Sequence, residues 1–181
     1  MEKPHWRVRS SGYVVESPFM RLRRDEVELP DGTVIPEYYV RESHGFVIVF
    51  ALTPAREVVL IEQYRYGNDS VIIELPAGTI DLGEDPLGCA QRELLEETGY
   101  TAPQWELVLS APAEPVRSNA VMHCYIARDA VLTGVQTLDS TEHIDVQLAT
   151  LERARAMLRD GTIASVASIA AGYASLDRIG A

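Results

Sequence analysis

The stretch from Gly78 to Tyr100 reads GTIDLGEDPLGCAQRELLEETGY, and its pattern decides how the surrounding chain is predicted to fold. Apolar residues recur about every second position before this stretch and about every 3.6 positions within it. A helix over Pro86 to Thr98 is indicated, because proline suits the first turn and Gly99 suits the position just past the end. Either Glu84 or Asp85 can cap the helix N-terminus. The pattern therefore predicts a strand, a loop and a helix in succession.

Three glutamates of this helix are predicted to lie on one face. Glu93, Glu96 and Glu97 are three or four residues apart, and like charges at those spacings cost an isolated helix about a few tenths of a kcal/mol per pair. Three interpretations are open: a solvated face steadied by Arg92, a metal-free pair of acid and base groups, or a site for a hard divalent cation. The metal-free pair fits poorly, because such acids face one another across a cleft. The cation fits clustered carboxylates facing a phosphate best.

The spacing of the whole stretch resembles the Nudix box of the Nudix hydrolases. After Gly78 come five residues, Glu84, seven more residues, and then Arg-Glu-Leu-x-Glu-Glu-x-Gly. Tyr100 departs mildly from this pattern, because the family usually has an aliphatic residue there. The resemblance implies an α+β fold, a Nudix-type α/β/α sandwich with a mixed sheet, and metal-dependent hydrolysis of a diphosphate bond.

The resemblance also implies roles for individual residues. Glu93 and Glu97 would be the main metal ligands and catalytic groups, with Glu96 assisting and the carbonyl of Ala77 or Gly78 completing the shell. The expected ion is Mg2+, with Mn2+ able to replace it. Other residues of the motif are implied to support the site rather than to bind metal: Gly78, Glu84, Arg92 and Gly99.

The remaining chain is predicted to form an arm of β-strands and a domain that contains both strands and helices. We expect an N-terminal antiparallel β-hairpin arm at residues 1–44, which the resemblance implies to be the dimerisation element, and a Nudix hydrolase domain at residues 45–181. The strands predicted in the arm are Tyr13 to Val15, Met20 to Leu29 and Val34 to Val40. The elements predicted in the domain besides the first helix are strands at Phe46 to Leu52, Glu57 to Gln63, Val71 to Leu75, Trp105 to Ser110, His123 to Ala127 and His143 to Ala149, a helix capped by Thr150 and ending at Arg159, and an amphipathic helix through Val166 and Leu176.

Beyond the box, the chain is most similar to the branch of the family that cleaves ADP-ribose and nucleoside diphosphate sugars. Its N-terminal arm is of the kind that exchanges between subunits in that branch, so a homodimer is implied. The strand Ile61-Glu62-Gln63-Tyr64-Arg65 is similar to one whose final arginine lies near substrate phosphate. The segment Glu74 to Gly78 matches the entry to the box, and Pro115 stands where members that cleave ADP-ribose carry a proline. Arg65, Glu74 and Pro115 are therefore candidate substrate-binding residues.

A late glutamate is the candidate general base. The segment Glu142-His143-Ile144-Asp145-Val146 resembles the loop and strand start from which the branch supplies this residue. Glu142 is therefore implied to be catalytic. Without the resemblance it would be interpreted as an ordinary surface acid.

One departure from the branch bears on substrate selectivity. After the proline the branch continues with a glycine and, a few residues later, a glutamate, whereas this chain reads Pro115-Val116-Arg117-Ser118-Asn119-Ala120. Ala120 can neither bind metal nor hydrogen-bond a ribose, so selectivity for ADP-ribose over another nucleotide sugar stays open. Arg117 can meet a substrate phosphate or remain solvated. Phe19 and Tyr39 can stack on a base or pack in an interface.

The composition limits the classes of partner. The formal net charge of -11 and the pI near 4.8 argue against binding to nucleic acid or to an anionic membrane, both of which need a basic face. No run approaches the roughly 18 apolar residues of a membrane span, and no secretory signal is recognised, so a cytoplasmic location is expected. Cys89 and Cys124 are too isolated for a disulfide framework or a zinc site, and both are expected to be buried.

The leading functional hypothesis is hydrolysis of the diphosphate bond of ADP-ribose or a related nucleoside diphosphate sugar. The products would be a nucleoside monophosphate and a sugar phosphate. Two alternatives stay open, namely pyrophosphohydrolysis that cleanses nucleoside triphosphates, and a nucleotide-sensing module without turnover. The long arm and Pro115 count against the first alternative, and the intact glutamates of the helix count against the second.

Overall fold

The computed structural model describes residues 5–180. The described residues form two compact units, of which the first contains the chain up to His44 together with Pro112–Ala120, and the second contains Gly45–Ala111 and the chain from Val121 onward. Each unit is described separately. A search of the described helices found none that is both long and apolar enough to cross a membrane.

The first unit is built on an antiparallel sheet. Its strands are β1 (Arg7–Ser17), β2 (Met20–Glu28) and β3 (Val34–Glu42), in the order β1-β2-β3. The predicted antiparallel hairpin is confirmed, and β1, which is much longer than the predicted Tyr13 to Val15, adds a third strand beside β2. The segment 112–120 joins this unit through hydrogen bonds to β3, including one of 2.8 Å from Arg41 N to Arg117 O.

The second unit contains a mixed sheet, as predicted. Strands follow the order β12-β5-β4-β10-β9, with β6 paired to β5 and β7 paired to β4. The pair β4 and β10 is parallel, whereas β4, β5, β6, β7 and β12 make antiparallel pairs. The bounds of these strands are β4 Phe46–Leu52, β5 Glu57–Arg65, β6 Ser70–Glu74, β7 Ala77–Thr79, β9 Gln104–Pro112, β10 Val121–Arg128 and β12 Ile144–Thr150, and a separate short ribbon pairs β8 Tyr100–Thr101 with β11 Val131–Leu132.

Helices cover both faces of this sheet, which confirms the predicted α/β/α sandwich. The helices are α1 (Pro86–Thr98), α2 (Leu151–Asp160) and α3 (Val166–Arg178). Alternate residues of β4 and β5 point to opposite faces. One face packs against α1, in a cluster that includes Val47, Val49, Val59, Cys89, Ala90 and Leu94. The other face packs against α2 and α3, in a cluster that includes Ile48, Phe50, Leu60, Met157, Leu158 and Leu176.

The helix limits agree with their sequence signals. Helix α1 has the predicted bounds, and Asp85 rather than Glu84 is its cap, because the Asp85 carboxylate accepts hydrogen bonds from the backbone N–H groups of Leu87 and Gly88. Gly99 ends the helix in the left-handed conformation that glycine adopts without strain. The short strands β7, β8 and β11 were not predicted, because two or three residues are too few to show a period.

Both cysteines are free and buried, as predicted. Burial raises the pKa of Cys89 to about 12 and the pKa of Cys124 to about 11. Both thiols therefore stay protonated and unreactive near neutral pH.

Candidate active site

The N-terminal half of α1 is tied to the loop before it by one arginine. Arg92 donates to both carboxylate oxygens of Glu84, with distances of 2.9 Å from Nε and 3.0 Å from Nη2. Bidentate pairs of this kind fix orientation as well as distance. The pair lowers the pKa of Glu84 to about 2, and a second contribution comes from the backbone N–H of Asp81. The loop is therefore held against the helix by a charged pair.

Arg92 also contacts two of the glutamates on its own helix. Its Nη1 lies 2.8 Å from Glu93 Oε1 and 3.0 Å from Glu96 Oε2. One guanidinium thus holds three carboxylates, and it is about one third exposed. Glu93 is more enclosed than Glu96, and burial raises the pKa of the Glu93 carboxyl.

Glu97 is the most deeply placed carboxylate of the helix, with only 4% of its surface exposed. Its Oε2 accepts a hydrogen bond of 2.9 Å from the backbone N–H of Ala77 at the start of β7. Burial, together with the nearby carboxylates of Glu93 and Glu142, raises the pKa of Glu97 to about 8, although the bond from Ala77 opposes the rise. Glu97 therefore joins the helix to the strand that enters the loop.

The absence of a side chain at Gly78 makes room for Glu93. A Cβ built at Gly78 would lie 1.8 Å from Cδ of Glu93 and 1.9 Å from one of its carboxylate oxygens. No residue other than glycine fits without displacing that carboxylate. The motif glycine therefore allows the carboxylate to lie directly against the backbone of the loop.

These glutamates line a cavity of about 240 Å³ in the second unit. The described residues around it are Arg92, Glu93, Glu96, Glu97, Thr137, Leu138, Asp139 and Glu142. Five of these side chains are carboxylates and one is a guanidinium. The cavity is therefore strongly negative, and an anionic ligand such as a phosphate would need a cation beside it.

The donor set of this cavity fits a divalent metal ion. Carboxylate and carbonyl oxygens are the ligands that Mg2+ and Mn2+ prefer, and a doubly charged ion would offset part of the excess negative charge. Among residues 5–180, however, no three Asp, Glu, His or Cys side chains are already gathered closely enough to hold an ion. The hydrogen bonds explain this arrangement, because Glu93 and Glu96 bond to Arg92 while Glu97 bonds to Ala77. A cation would compete with Arg92 for the Glu93 carboxylate.

Glu142 reaches the same cavity from the loop that precedes β12. Its Oε2 accepts a hydrogen bond of 3.0 Å from Asp139 N, and its own backbone N–H donates a hydrogen bond of 2.9 Å to Asp139 O. The segment 139–142 is therefore a closed turn that holds the Glu142 carboxylate. Sequence reasoning identified Glu142 but missed Asp139, Thr137 and Leu138, for which no local pattern exists.

A second cavity, of about 340 Å³, lies beside the same loop. Arg65 Nε donates 2.7 Å to Glu74 Oε2, and this pair lines the cavity together with Ala77 and Gly78. The first residues of α3 also line it, which no sequence signal indicated. The other described lining residues are Phe46, Ile48, Thr79, Ser165, Ala167 and Ser168. The structure thus brings the candidates Arg65 and Glu74 together next to the loop of the motif.

The remaining substrate-binding candidates belong to the first unit. Phe19 is 97% exposed, and the Tyr39 hydroxyl lies 3.3 Å from a Glu37 carboxylate oxygen. Pro115 and Arg117 lie in the segment 112–120, where the Arg117 guanidinium stands 5.5 Å from the ring centre of Tyr38. Their roles toward a substrate stay predictions.

Comparisons with known proteins find relatives for most of the chain. Residues 43–168 match the NUDIX domain family, and residues 6–40 match the family described as the nucleoside diphosphate sugar hydrolase N-terminal domain. A methanol dehydrogenase activator of Bacillus methanolicus is 36% identical over 145 residues, which cover 80% of this chain and 78% of that protein. An ADP-ribose pyrophosphatase of Bacillus subtilis is 34% identical over 145 residues, covering 80% of this chain and 75% of that protein.

A solved structure extends the likeness to the fold. The crystal structure of an ADP compounds hydrolase superposes with a TM-score of 0.86 at 20% identity, covering 99% of this chain and 96% of the other. At that identity the likeness speaks for the fold alone, and the family follows from the sequence match together with the intact motif over α1. The chain belongs to the Nudix hydrolase family.

Proposed function

We propose that this Nudix hydrolase cleaves the diphosphate bond of ADP-ribose or a related nucleoside diphosphate sugar. The products are a nucleoside monophosphate and a sugar phosphate. The observation that carries the proposal is the negative cavity in which Glu93 and Glu97 of α1 meet Glu142 of the late loop, beside a second cavity lined by Arg65 and Glu74. The relatives named ADP-ribose pyrophosphatase support the choice of substrate class.

We assign the metal site to the residues around the motif loop. Glu93 and Glu97 would be the main ligands, Glu96 would assist, and the carbonyl of Ala77 would complete the shell, with Mg2+ as the expected ion and Mn2+ as its substitute. When bound, the ions lower the pKa of a water molecule and offset negative charge on the diphosphate. Gly78 and Arg92 hold Glu93 in place, Glu84 orients Arg92, and Gly99 ends the helix that carries all three glutamates.

The residues of the chain then have separate tasks. Glu142 accepts the proton of the attacking water while the water oxygen forms a bond to phosphorus and the bridging P–O bond breaks. Arg65 neutralises a phosphate, and Glu74 keeps the Arg65 guanidinium in one orientation. Pro115, Arg117, Phe19 and Tyr39 are assigned to recognition of the nucleotide. Ala120, which is buried, leaves selectivity among sugars to other residues.

We further propose that the protein is a cytoplasmic homodimer that forms through its arm. Every residue of β1 is exposed, including Val8, Tyr13, Val14 and Val15, and β1 is the edge of its sheet. An exposed apolar edge strand offers both unpaired backbone groups and apolar area to a second copy. The free cysteines are compatible with a reducing compartment. Light scattering on the purified protein should give the mass of a dimer, and Val14→Lys should shift it toward the monomer.

One experiment tests the catalytic proposal. Purified protein is incubated with Mg2+ or Mn2+ and a panel of ADP-ribose, sugar nucleotides, dinucleotides and nucleoside triphosphates, and the products are identified. We expect a nucleoside monophosphate and a sugar phosphate from one or more diphosphate sugars. Release of pyrophosphate from triphosphates alone would support triphosphate cleansing instead, and binding without turnover would support a sensor.

The variant Glu97→Gln connects the turnover to the site. Loss of a metal ligand should reduce kcat by about 10²-fold or more, since the electrostatic stabilisation that it supports is lost. The matched control is Glu152→Gln, which makes the same change on an exposed residue of α2 and should leave kcat unchanged. Equal activity of the two variants would remove Glu97 from the ligand set.

A further inference from the structure

The loop between β11 and β12 is tied to the C-terminal end of α1. The last four carbonyl groups of a helix have no donor within it, so they need hydrogen-bond donors from elsewhere. The backbone N–H of Thr137 donates a hydrogen bond of 2.9 Å to Glu96 O. The backbone N–H groups of Thr133 and Gly134 donate hydrogen bonds of 3.0 and 3.1 Å to Gly99 O. This loop therefore caps the helix that carries the catalytic glutamates.

One side chain connects the helix end to the start of β12. Gln136 Nε2 lies 2.7 Å from Glu97 O and 3.0 Å from Ile144 O. A primary amide nitrogen carries two hydrogens, so a single NH2 group can donate to both carbonyls at once. The two acceptors belong to Glu97 itself and to the residue that lies two positions after Glu142. Gln136 thus links the backbones of the two elements on which the proposed reaction depends.

The turn carrying Glu142 lies between these anchor points. The backbone N–H of Asp139 donates to the Glu142 carboxylate, and the backbone N–H of Glu142 donates to the Asp139 carbonyl, which makes the turn a closed unit. On one side the chain is tied to α1 at Thr137, and on the other side it is tied through Gln136 at Ile144. The placement of the turn relative to Glu93 and Glu97 is therefore set by these two links together with the pairing of β12 with β5, in which Ile144 lies opposite Gln63.

Building on the proposed function, we propose that Gln136 is a positioning residue that sets the place of the Glu142 carboxylate relative to the metal-binding glutamates of α1. Gln136 acts through its two hydrogen bonds and touches neither substrate nor metal. A displacement of about 1 Å at a reacting group can lower a rate by about 100-fold, so a link of this kind controls kcat. The binding of substrate, which rests on other residues, is affected much less.

A double-mutant cycle distinguishes a positioning role of Gln136 from a merely structural one. In the wild-type background, Gln136→Ala should lower kcat about 10- to 100-fold, in the range found for groups that orient metal-site residues, with KM changed by less than about threefold. In a Glu142→Ala background the same change should have almost no further effect, because the group that it positions is gone. An equal loss in both backgrounds, or a kcat within about twofold of wild type, would overturn the proposal.

Two further variants keep the test decisive. Gln136→Glu has nearly the same size but presents oxygens to two carbonyl oxygens at the negative end of α1, so it should lose at least as much kcat as the alanine variant, and circular dichroism checks that it folds. Gln104→Ala removes an exposed amide that bonds to Asp129 in the same unit, and it should leave kcat unchanged. A Gln136→Glu variant with normal kcat would show that the double hydrogen bond has no role.

A readout without substrate separates this inference from the proposed function. Amide hydrogen exchange at Thr137 and Glu142 should become faster in Gln136→Ala and stay unchanged in Gln104→Ala. If the wild-type protein cleaved none of the compounds in the panel, the proposed function would fail while this exchange result still supported the link. Unchanged exchange at both amides would overturn the positioning role whatever the protein hydrolyses.

Discussion

The two ends of α1 are held in different ways. At the N-terminal end, Asp85 caps the helix and Arg92 pairs with Glu84, and all of these residues lie within one short stretch of sequence. At the C-terminal end, the carbonyls of Glu96 and Glu97 are bonded by residues about forty positions further along. The first end is encoded in a spacing that can be recognised, whereas the second depends on how a distant loop returns to the helix. The catalytic glutamates stand between the two.

The largest loss of activity is expected from a substitution at Gly78, where the loop before α1 lies against the Glu93 carboxylate. Gly78→Ala places a Cβ where the Glu93 carboxylate lies, and the flexible glutamate will rotate away rather than the backbone. We expect kcat to fall about 100-fold or more, because a misplaced ligand loses the geometry on which the rate depends, while the melting temperature changes little. Gly67→Ala, at a glycine of the same unit with open space and no positive φ, is the control that should leave both quantities unchanged. Normal activity of Gly78→Ala would mean that Glu93 does not need this position.

A smaller loss is expected from Arg92→Lys. The ammonium group keeps the charge but cannot donate to both oxygens of Glu84 while also reaching Glu93 and Glu96. We expect kcat or the apparent affinity for Mg2+ to fall about 10- to 100-fold, as is typical when an orienting group is lost. Steady-state kinetics across a range of Mg2+ concentrations measures both quantities. Arg128→Lys, which alters a surface pair with Glu106, should behave as wild type.

Features that depend on residues close together in sequence could be predicted, as at the N-terminal end of α1. The bounds of α1 and the positions of most strands and helices followed from periodicity and from cap and turn residues, which act over a few positions, whereas the mixed-sheet sandwich was implied by the family resemblance. The contact between Arg92 and Glu84 followed from a resemblance that includes both residues. These are cases in which the chain carries the information locally.

The parts that were missed depend on tertiary structure. Nothing in the letters Val135-Gln136-Thr137-Leu138-Asp139 indicates that this segment caps a helix that ended forty residues earlier. The side of the second cavity formed by Ser165 and Ser168 depends on the packing of α3 against β4, which no local pattern indicates. The burial of Glu97, which the spacing of the glutamates does not indicate, likewise arises from the Ala77 loop lying against it.

The C-terminal end can be examined separately through its glycine. Gly99 and Gly161 both end helices at positive φ, and alanine costs about 1 to 2 kcal/mol in that conformation. A Cβ at Gly161 would meet open space, whereas a Cβ at Gly99 would lie 2.7 Å from Gly134 O in the loop that caps α1. We expect Gly99→Ala to lower the free energy of unfolding by about 1 kcal/mol or more beyond the loss in Gly161→Ala, because the backbone has to move. Equal losses of the free energy of unfolding in urea titrations of the two variants would show that the loop at Gly134 moves aside without a cost in stability.

The smallest effect concerns the acid dependence of the N-terminal end. The pKa of Glu84 is lowered from 4.5 to about 2 by Arg92 and by Asp81 N, so the folded state favours the ionised form. The stability that this pair contributes is therefore fully present above pH 4.5, and it is lost as the pH falls through the interval down to about 2. Glu84→Gln lacks the titrating group, so the wild-type advantage in the free energy of unfolding should shrink across that interval.

Urea titrations of the wild-type protein and of Glu84→Gln, in EDTA and at several values between pH 6 and pH 2.5, give the free energy of unfolding of each. The difference between the two free energies reports on Glu84, because the other acidic groups are the same in both proteins and their contributions cancel. A difference that stays constant with pH would mean that Arg92 stabilises the helix end through packing and hydrogen bonds to neutral oxygen rather than through the charge on Glu84. The two ends of α1 would then be alike in kind, since amide groups hold the C-terminal end without any net charge. A difference that narrows in acid would show that the helix is fixed by charge at one end and by neutral hydrogen bonds at the other.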